Sequence, residues 1–374
     1  MLRFLTAGES HGPCLTAILE GMPAGLQIDL DAVNRDLRRR QGGYGRGGRM
    51  KIERDRAEIL GGVLYGRTTG APIALRIENK DWANWRRRWE ARDLPRITVP
   101  RPGHADHAGM VKYGLDDARL ISERASARET AARVAVGALA RQLLAEFDVA
   151  VGSFVTEIGG VRAEVPELSH AELWSLAEGS ELRCPEERAA RHMRQRIDAA
   201  REDGDSLGGI FHVTATGLPV GLGSHVQWDR RLDARLVAAV VSIPAIKGAE
   251  IGPAFENAAL PGTQVQDEIH PDGTGGVTRE TNRAGGFEGG ITNGMPVVIR
   301  AAMKPIPTTV SPIRSIDLET GERAETEYQR SDVCAVPAAS VVSEAMVTWT
   351  LANALVEKLG GDSLQEMKDR HASG

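Results

Sequence analysis

Cysteine is scarce in this chain of 374 residues: three, Cys14, Cys184 and Cys334, lie far apart and form no C-x-x-C pair. Neither a disulfide framework nor a thiolate zinc site is expected, and the pattern suits a reduced, cytoplasmic compartment. No run approaches twenty apolar residues, so no membrane span is expected. The opening MLRFLTAGESHG lacks the long apolar stretch of a signal peptide. Aromatic residues make up only 4%, which offers few stacking platforms for a nucleic acid. There is no G-x-x-x-x-G-K-[ST] loop, and no G-x-G-x-x-G between a strand and a helix, so the standard nucleotide fingerprints are missing.

What is present is the composition of a folded enzyme, 41% hydrophobic and 26% charged. No proline-rich or serine-rich linker divides the chain, so one domain over residues 1–374 is expected. Net charge is −5, but it is unevenly spread. Residues 35–54 carry eight Lys/Arg against two acids, and residues 86–101 carry six against two. Two concentrated basic segments in an acidic protein suggest a focused anion site.

Helical signals fall at 29–40, 126–147, 185–202, 230–242 and 343–359. Ser126 and Glu129 have capping-box spacing, and Pro185 is placed in a first turn. Strand signals fall at 59–64, 71–78, 149–158, 209–216 and 296–303. The elements interleave without a strict β-α-β-α rhythm, which points to an α+β fold with mixed or antiparallel sheets covered by helices. The patterns at 126–147 and 343–359 resemble each other and suggest an internal duplication.

Three chemistries compete for the polar motifs. His104, Asp106 and His107 in RPGHADH have metal-ligand residue types, with His11, His270 or Asp332 as further ligands. RRRQGGYGRGGR has the look of an RNA-binding tract with Tyr44 to stack on a base. Acid–base work on a polyanionic small molecule is the third. Arginines at 38–40, 46, 49, 101, 124 and 128 suit phosphates and carboxylates. His11 in GESHG and His104 in RPGHAD then serve as proton donors near neutral pH, and Asp332 is a plausible base.

The motifs taken together resemble the chorismate synthase family along nearly the whole chain. The matching stretches are TAGESHG at 6–12, RRRQGGYGRGGRM at 38–50, RPGHAD at 101–106 and KYG at 112–114. ERASARETAARVA at 123–135, SIPAIKG at 242–248, AGGFEGGITNG at 284–294, KPIPTT at 304–309 and RSDVCAVP at 330–337 follow in the family's order. The resemblance implies a β-α-β sandwich and a homotetramer. It also implies a lyase of the shikimate pathway, supplying aromatic amino acid biosynthesis. The implied reaction converts 5-enolpyruvylshikimate 3-phosphate to chorismate and phosphate by anti-1,4-elimination, with reduced FMN. NADPH is implied as a reductant of that flavin in some members. No metal, nucleic acid or membrane partner is implied.

By the same resemblance His104 assists phosphate departure, His11 serves the reduced flavin, and Asp332 belongs to the base machinery. The flavin positions are Arg124, Ala125, Ser126, Pro244, Ala245, Gly289, Lys304, Pro305, Ile306, Pro307, Thr308 and Arg330. Arg40, Arg46, Arg49, Arg101 and Arg128 are the implied substrate or NADPH contacts. One position departs from many members, which have His where this chain has Ser331.

Overall fold

A computed structural model describes residues 1–48, 53–273, 275–328 and 331–373. Arg49 and Arg330 lie outside the described residues. Two antiparallel sheets enclose a layer of helices. The first sheet runs in the order Arg3–Ala7, Cys14–Glu20, Ile73–Glu78, Ala57–Gly61. The second runs Ile246–Ile251, Val297–Met303, Gly209–Thr216, Ala150–Ile158, with the short Val161–Arg162 at its edge.

Alternation turns each sheet inward. Leu15, Ala17 and Leu19, with Ile73, Leu75 and Ile77, are buried on one sheet; Phe211, Val213 and Ala215, with Val297, Ile299 and Ala301, are buried on the other. Helices Leu30–Gln41 and Thr130–Ala145 belong to the first sheet's side of the layer, and Leu232–Val241 and Val336–Leu359 to the second's. One continuous apolar core joins both sheets and these helices.

Helix Val336–Leu359 is apolar nearly all round and long enough by composition to cross a membrane, yet its most apolar window is 94% buried inside the protein. A helix without a polar face is a core helix in such a setting. It starts seven residues before the position its periodicity predicts. Gly137 of helix Thr130–Ala145 lets the two long helices touch, since a Cβ there would stand 2.5 Å from the Cβ of Ala345.

The duplication is visible in topology. Each half supplies four strands whose spatial order is first, second, fourth, third. Each half has a helix between its second and third strands and a long central helix after its fourth. These long helices include the pair whose sequence patterns resemble each other.

Two local expectations fail. Ser126 caps a single 3-10 turn, Ala127–Glu129, and the α-helix starts only at Thr130. Glu129 does not complete a capping box, because its carboxylate instead accepts from Thr6 Oγ1 at 2.8 Å and Arg133 Nε at 2.9 Å. Pro185 lies before the N-cap of helix Glu187–Glu202; Glu186 caps that helix by accepting from the N–H groups of Arg188 and Ala189. Helices Trp82–Ala91, Asp106–Tyr113, Ala118–Ala125, His170–Glu178 and Leu364–Ala372, and strands Arg3–Ala7, Cys14–Glu20 and Ile246–Ile251, were not predicted.

Candidate functional site

His11 stands in the turn between the first two strands. Gly8, at φ +112°, is required there, since a Cβ would lie 2.4 Å from the carbonyl oxygen of Cys14. Glu123, near the end of helix Ala118–Ala125, grips the histidine twice. One carboxylate oxygen accepts from the His11 N–H at 2.7 Å and the other meets its Nδ1 at 2.8 Å. Burial alone would raise the pKa of Glu123, but the hydrogen bond and charge of His11 outweigh it and hold it below the usual carboxylate range. Trp85 packs on the imidazole at 4.1 Å between centroids and is itself anchored by Asp81, which accepts from its Nε1. With Nδ1 engaged, Nε2 is the ring nitrogen left for chemistry.

His104 closes a four-residue turn, its N–H donating to the Arg101 carbonyl at 3.2 Å. Pro102 and Gly103, at φ +78°, have the residue pattern of a type II turn. Asp106, fully buried, meets His104 Nδ1 at 2.5 Å and takes Arg101 bidentately through Nε at 2.7 Å and Nη2 at 3.0 Å. Burial opposes ionisation of Asp106, yet the bonds from His104 and Arg101 keep its pKa far below the usual range. Asp106 is thus an orienting carboxylate, and His107 is exposed on the next helix. Among the described residues no group of three His, Cys, Asp or Glu side chains is close enough to hold a metal ion.

Asp332 is held by the glycine-rich loop after helix Leu30–Gln41. Gly47 N–H donates to Oδ1 at 2.6 Å, and Arg46 Nη1 lies 3.1 Å from Oδ2. Ser331 Oγ donates to the Thr308 carbonyl at 2.7 Å, and Lys304 Nζ donates to the Gly103 carbonyl at 3.0 Å. Lys304 N–H in turn donates to the Ala245 carbonyl at 2.9 Å. The His104 turn, the KPIPT segment, Ala245 and Asp332 therefore form one continuous group. Ala245 sits at φ +68°, a conformation rare for a residue with a side chain.

Arg40 and Arg128 are buried together against Asp55. Arg128 Nη1 meets both oxygens of Asp55, at 2.6 and 2.7 Å, and its Nε donates to Asn79. Arg40 Nε donates to Thr130, and its Nη2 to the Ala127 carbonyl. Burial lowers the pKa of Arg40 to about 10; Asp55 opposes the fall, while Arg128 and Arg46 deepen it. Asp332 adds a smaller opposing effect. Arg124 reaches Thr6, and Ser126 Oγ lies 3.0 Å from Ser10 Oγ beside His11.

Gly289 stands apart. Its hairpin abuts the start of helix Leu232–Val241, where Leu232 N–H donates to the Gly290 carbonyl. Pro244 and Ala245 follow that helix's other end, roughly 15 Å away along ten residues. Sequence reading missed Glu123, Trp85 and Asp55, and gave Asp106 no role beyond the metal-ligand alternative that the family resemblance set aside. The H-x-D spacing was the one local signal of an orienting role for Asp106.

Comparison with known proteins accords with this arrangement. A family model described as chorismate synthase matches residues 2–356. The chain belongs to the chorismate synthase family. It is 57% identical to the chorismate synthase of Geobacter sulfurreducens, over 98% of this chain and 97% of that protein. It is 57% identical to that of Desulforamulus reducens, over 99% of this chain and 97% of that one. A crystal structure of a chorismate synthase matches with a TM-score of 0.82 and 47% identity, covering 100% of this chain and 96% of the other. The sandwich is therefore the chorismate synthase fold, and the chain is an enzyme of chorismate formation in the shikimate pathway.

Proposed function

We propose that this chorismate synthase eliminates phosphate from 5-enolpyruvylshikimate 3-phosphate in an anti-1,4 sense and depends on reduced FMN. The observation that carries the reading is the pair of histidines, each oriented by its own carboxylate, with Arg101 against His104 and Arg46 paired to Asp332. His104, oriented by Asp106, donates a proton to the departing phosphate. Arg46 and Arg101, each held by a carboxylate, add to the field at the departing anion only the part of their charge that Asp332 and Asp106 leave uncompensated. Asp332 belongs to the base machinery that removes the hydrogen from C6, and the new double bond forms as that hydrogen leaves. His11, whose Nδ1 is engaged by Glu123, would serve the reduced flavin through Nε2.

The cation balance fits a bound phosphate-bearing cofactor. Lys304 has no carboxylate partner among the described residues; burial and the nearby Lys247 both lower its pKa. An anion placed there relieves both effects. Arg124, Ser126, Pro244, Ala245 and the Lys304–Thr308 segment hold the flavin in this reading. When bound, FMN supplies electron density to the substrate and takes it back. Single-domain organisation, resting on the absence of a linker, and a cytoplasmic location, resting on the sparse cysteines, are part of the same proposal; homotetrameric assembly and NADPH as reductant rest on the family resemblance.

The test is anaerobic phosphate release with chemically reduced and with oxidised FMN. Release together with chorismate, only with the reduced flavin, is the expected result; His104→Ala is expected to lose turnover while keeping flavin affinity. A folded protein that releases nothing with either flavin state overturns the reading.

A further inference from the structure

The charged segment at 181–205 has no part in the chemistry above, yet it holds the loop that carries Arg46. Helix Glu187–Glu202 buries Ala189, Met193, Ile197 and Ala200. A second stripe, Arg194, Asp198 and Arg201, has the i, i+4, i+7 spacing of one helix face, and all three converge on Tyr44. Tyr44 Oη donates to Asp198 Oδ1 at 2.6 Å. The Arg194 and Arg201 guanidiniums stand 4.2 and 5.2 Å from the ring centroid, within cation–π range. The backbone adds a tether, since Tyr44 N–H donates to the Glu181 carbonyl at 3.0 Å. The bond from Tyr44 also lowers the pKa of Asp198.

The other side of the same loop faces the Asp332 segment. The Gly45 carbonyl accepts from Val333 N–H at 2.9 Å and from Cys334 N–H at 3.3 Å. A Cβ on Gly45 would lie 3.1 Å from Cys334 Cβ and 3.2 Å from Ile197 Cγ2, so this residue is pressed between the helix and the Asp332 segment. The next two residues are Arg46 and Gly47, both bound to Asp332.

We propose that Tyr44 is a positioning residue: through it, helix Glu187–Glu202 braces the glycine loop so that Arg46 and the Gly47 N–H meet Asp332. The structural claim stands on these contacts; only its kinetic consequence rests on the role given to Asp332 above.

The experiment pairs hydrogen exchange with kinetics on the full chain, using Tyr44→Ala, Tyr44→Phe and Asp198→Ala. In Tyr44→Ala, exchange is expected to rise about tenfold in both 42–48 and 331–335, with helix Val336–Leu359 unchanged. Turnover with reduced FMN falls about tenfold or more, because small misplacements of catalytic groups are costly, while flavin affinity is kept. Tyr44→Phe keeps the ring against both guanidiniums and recovers most of the turnover, which a loss of general stability does not explain. Asp198→Ala alters a half-buried residue on the helix surface and is expected to loosen the same two segments to a smaller degree, which decides the matter if Tyr44→Ala does not fold. Unchanged exchange at 331–335, or wild-type turnover in a folded Tyr44→Ala, overturns the proposal. A wild type without turnover counts against the proposed reaction and leaves the exchange result to decide the brace.

Discussion

Replacing Asp106 by Asn tests the carboxylate–histidine arrangement directly. The two oxygens of Asp106 accept from four donors. One faces His104 Nδ1 at 2.5 Å and Arg101 Nη2 at 3.0 Å; the other faces Arg101 Nε at 2.7 Å and the Arg101 N–H at 3.1 Å. An amide supplies one oxygen, and its NH2 must then face donors on the other side. In either orientation the NH2 faces a donor of Arg101, a guanidinium only 11% exposed, and on the Oδ1 side it also displaces the acceptor that orients His104 Nδ1. Breaking one side of a buried pair of this kind costs about 3 kcal/mol of stability. Loss of the orienting carboxylate costs about 10²- to 10⁴-fold in turnover, by analogy with hydrolase triads. The assay is anaerobic phosphate release with chemically reduced FMN, beside flavin binding and a denaturant midpoint. His104→Ala alone should show a loss of similar size, and the double variant should be no worse, because the two act as one unit. A folded Asp106→Asn protein with turnover within about twofold of wild type refutes the reasoning, since even the low end of the expected loss is far larger.

Three further outcomes are expected. Gly47→Ala places a Cβ 2.5 Å from the Ser331 carbonyl oxygen and 3.3 Å from Asp332 Oδ1, so backbone must move; steady-state kinetics should show kcat falling about tenfold or more. Gly137→Ala drives a Cβ to 2.7 Å from both Cα and the carbonyl oxygen of Ala345, and denaturant unfolding should show a loss of about 1–3 kcal/mol. Glu344, buried in the central helix, has its pKa brought down to about 2: burial would raise it, but Arg141 and Arg39 outweigh burial. Its folded pKa lies below the unfolded value, so its stabilisation is complete above about pH 4.5 and is lost as pH falls toward 2; denaturant midpoints should record on the order of 3 kcal/mol of acid dependence that Glu344→Gln lacks.

Much of the scaffold was legible because each piece is decided by its own residues. Helix 187–202 was located to within two residues at either end by its charged run and the proline before it, and strand 209–216 by its short run of β-forming residues, since each signal lies within the element or beside it. Strand Ile246–Ile251 went unread. Its sequence, IKGAEI, carries a glycine and two charges, and its place at the sheet edge comes from pairing with Val297–Met303. The central helix was read seven residues short because its start, Val336-Pro337-Ala338-Ala339, has small residues and no side-chain cap. The buried Glu344 gave no signal either. Its partners Arg39, Arg141 and Arg183 come from three distant segments, and a lone acid in an apolar helix looks like a surface residue until they are assembled.

The site shows the same division between what is local and what is assembled. The residue types at His11 and His104 are local facts and could be read. The carboxylate of His11 could not, because Glu123 lies 112 residues away in the chain. Arginine counts are silent on what the chain itself already claims of each guanidinium. They assign every guanidinium to a ligand, but Arg128 spends its Nη1 on Asp55 and its Nε on Asn79, and Arg40 is turned toward Thr130 and the Ala127 carbonyl. A buried cation needs partners whether or not a substrate is present. What a cationic motif offers to an anionic substrate is therefore the part of its charge that the rest of the chain leaves uncompensated. Lys304, with no carboxylate partner among the described residues and its pKa lowered by burial and by Lys247, belongs to that part. Arg128, bound through Nη1 to both oxygens of Asp55, has far less of its charge left to offer.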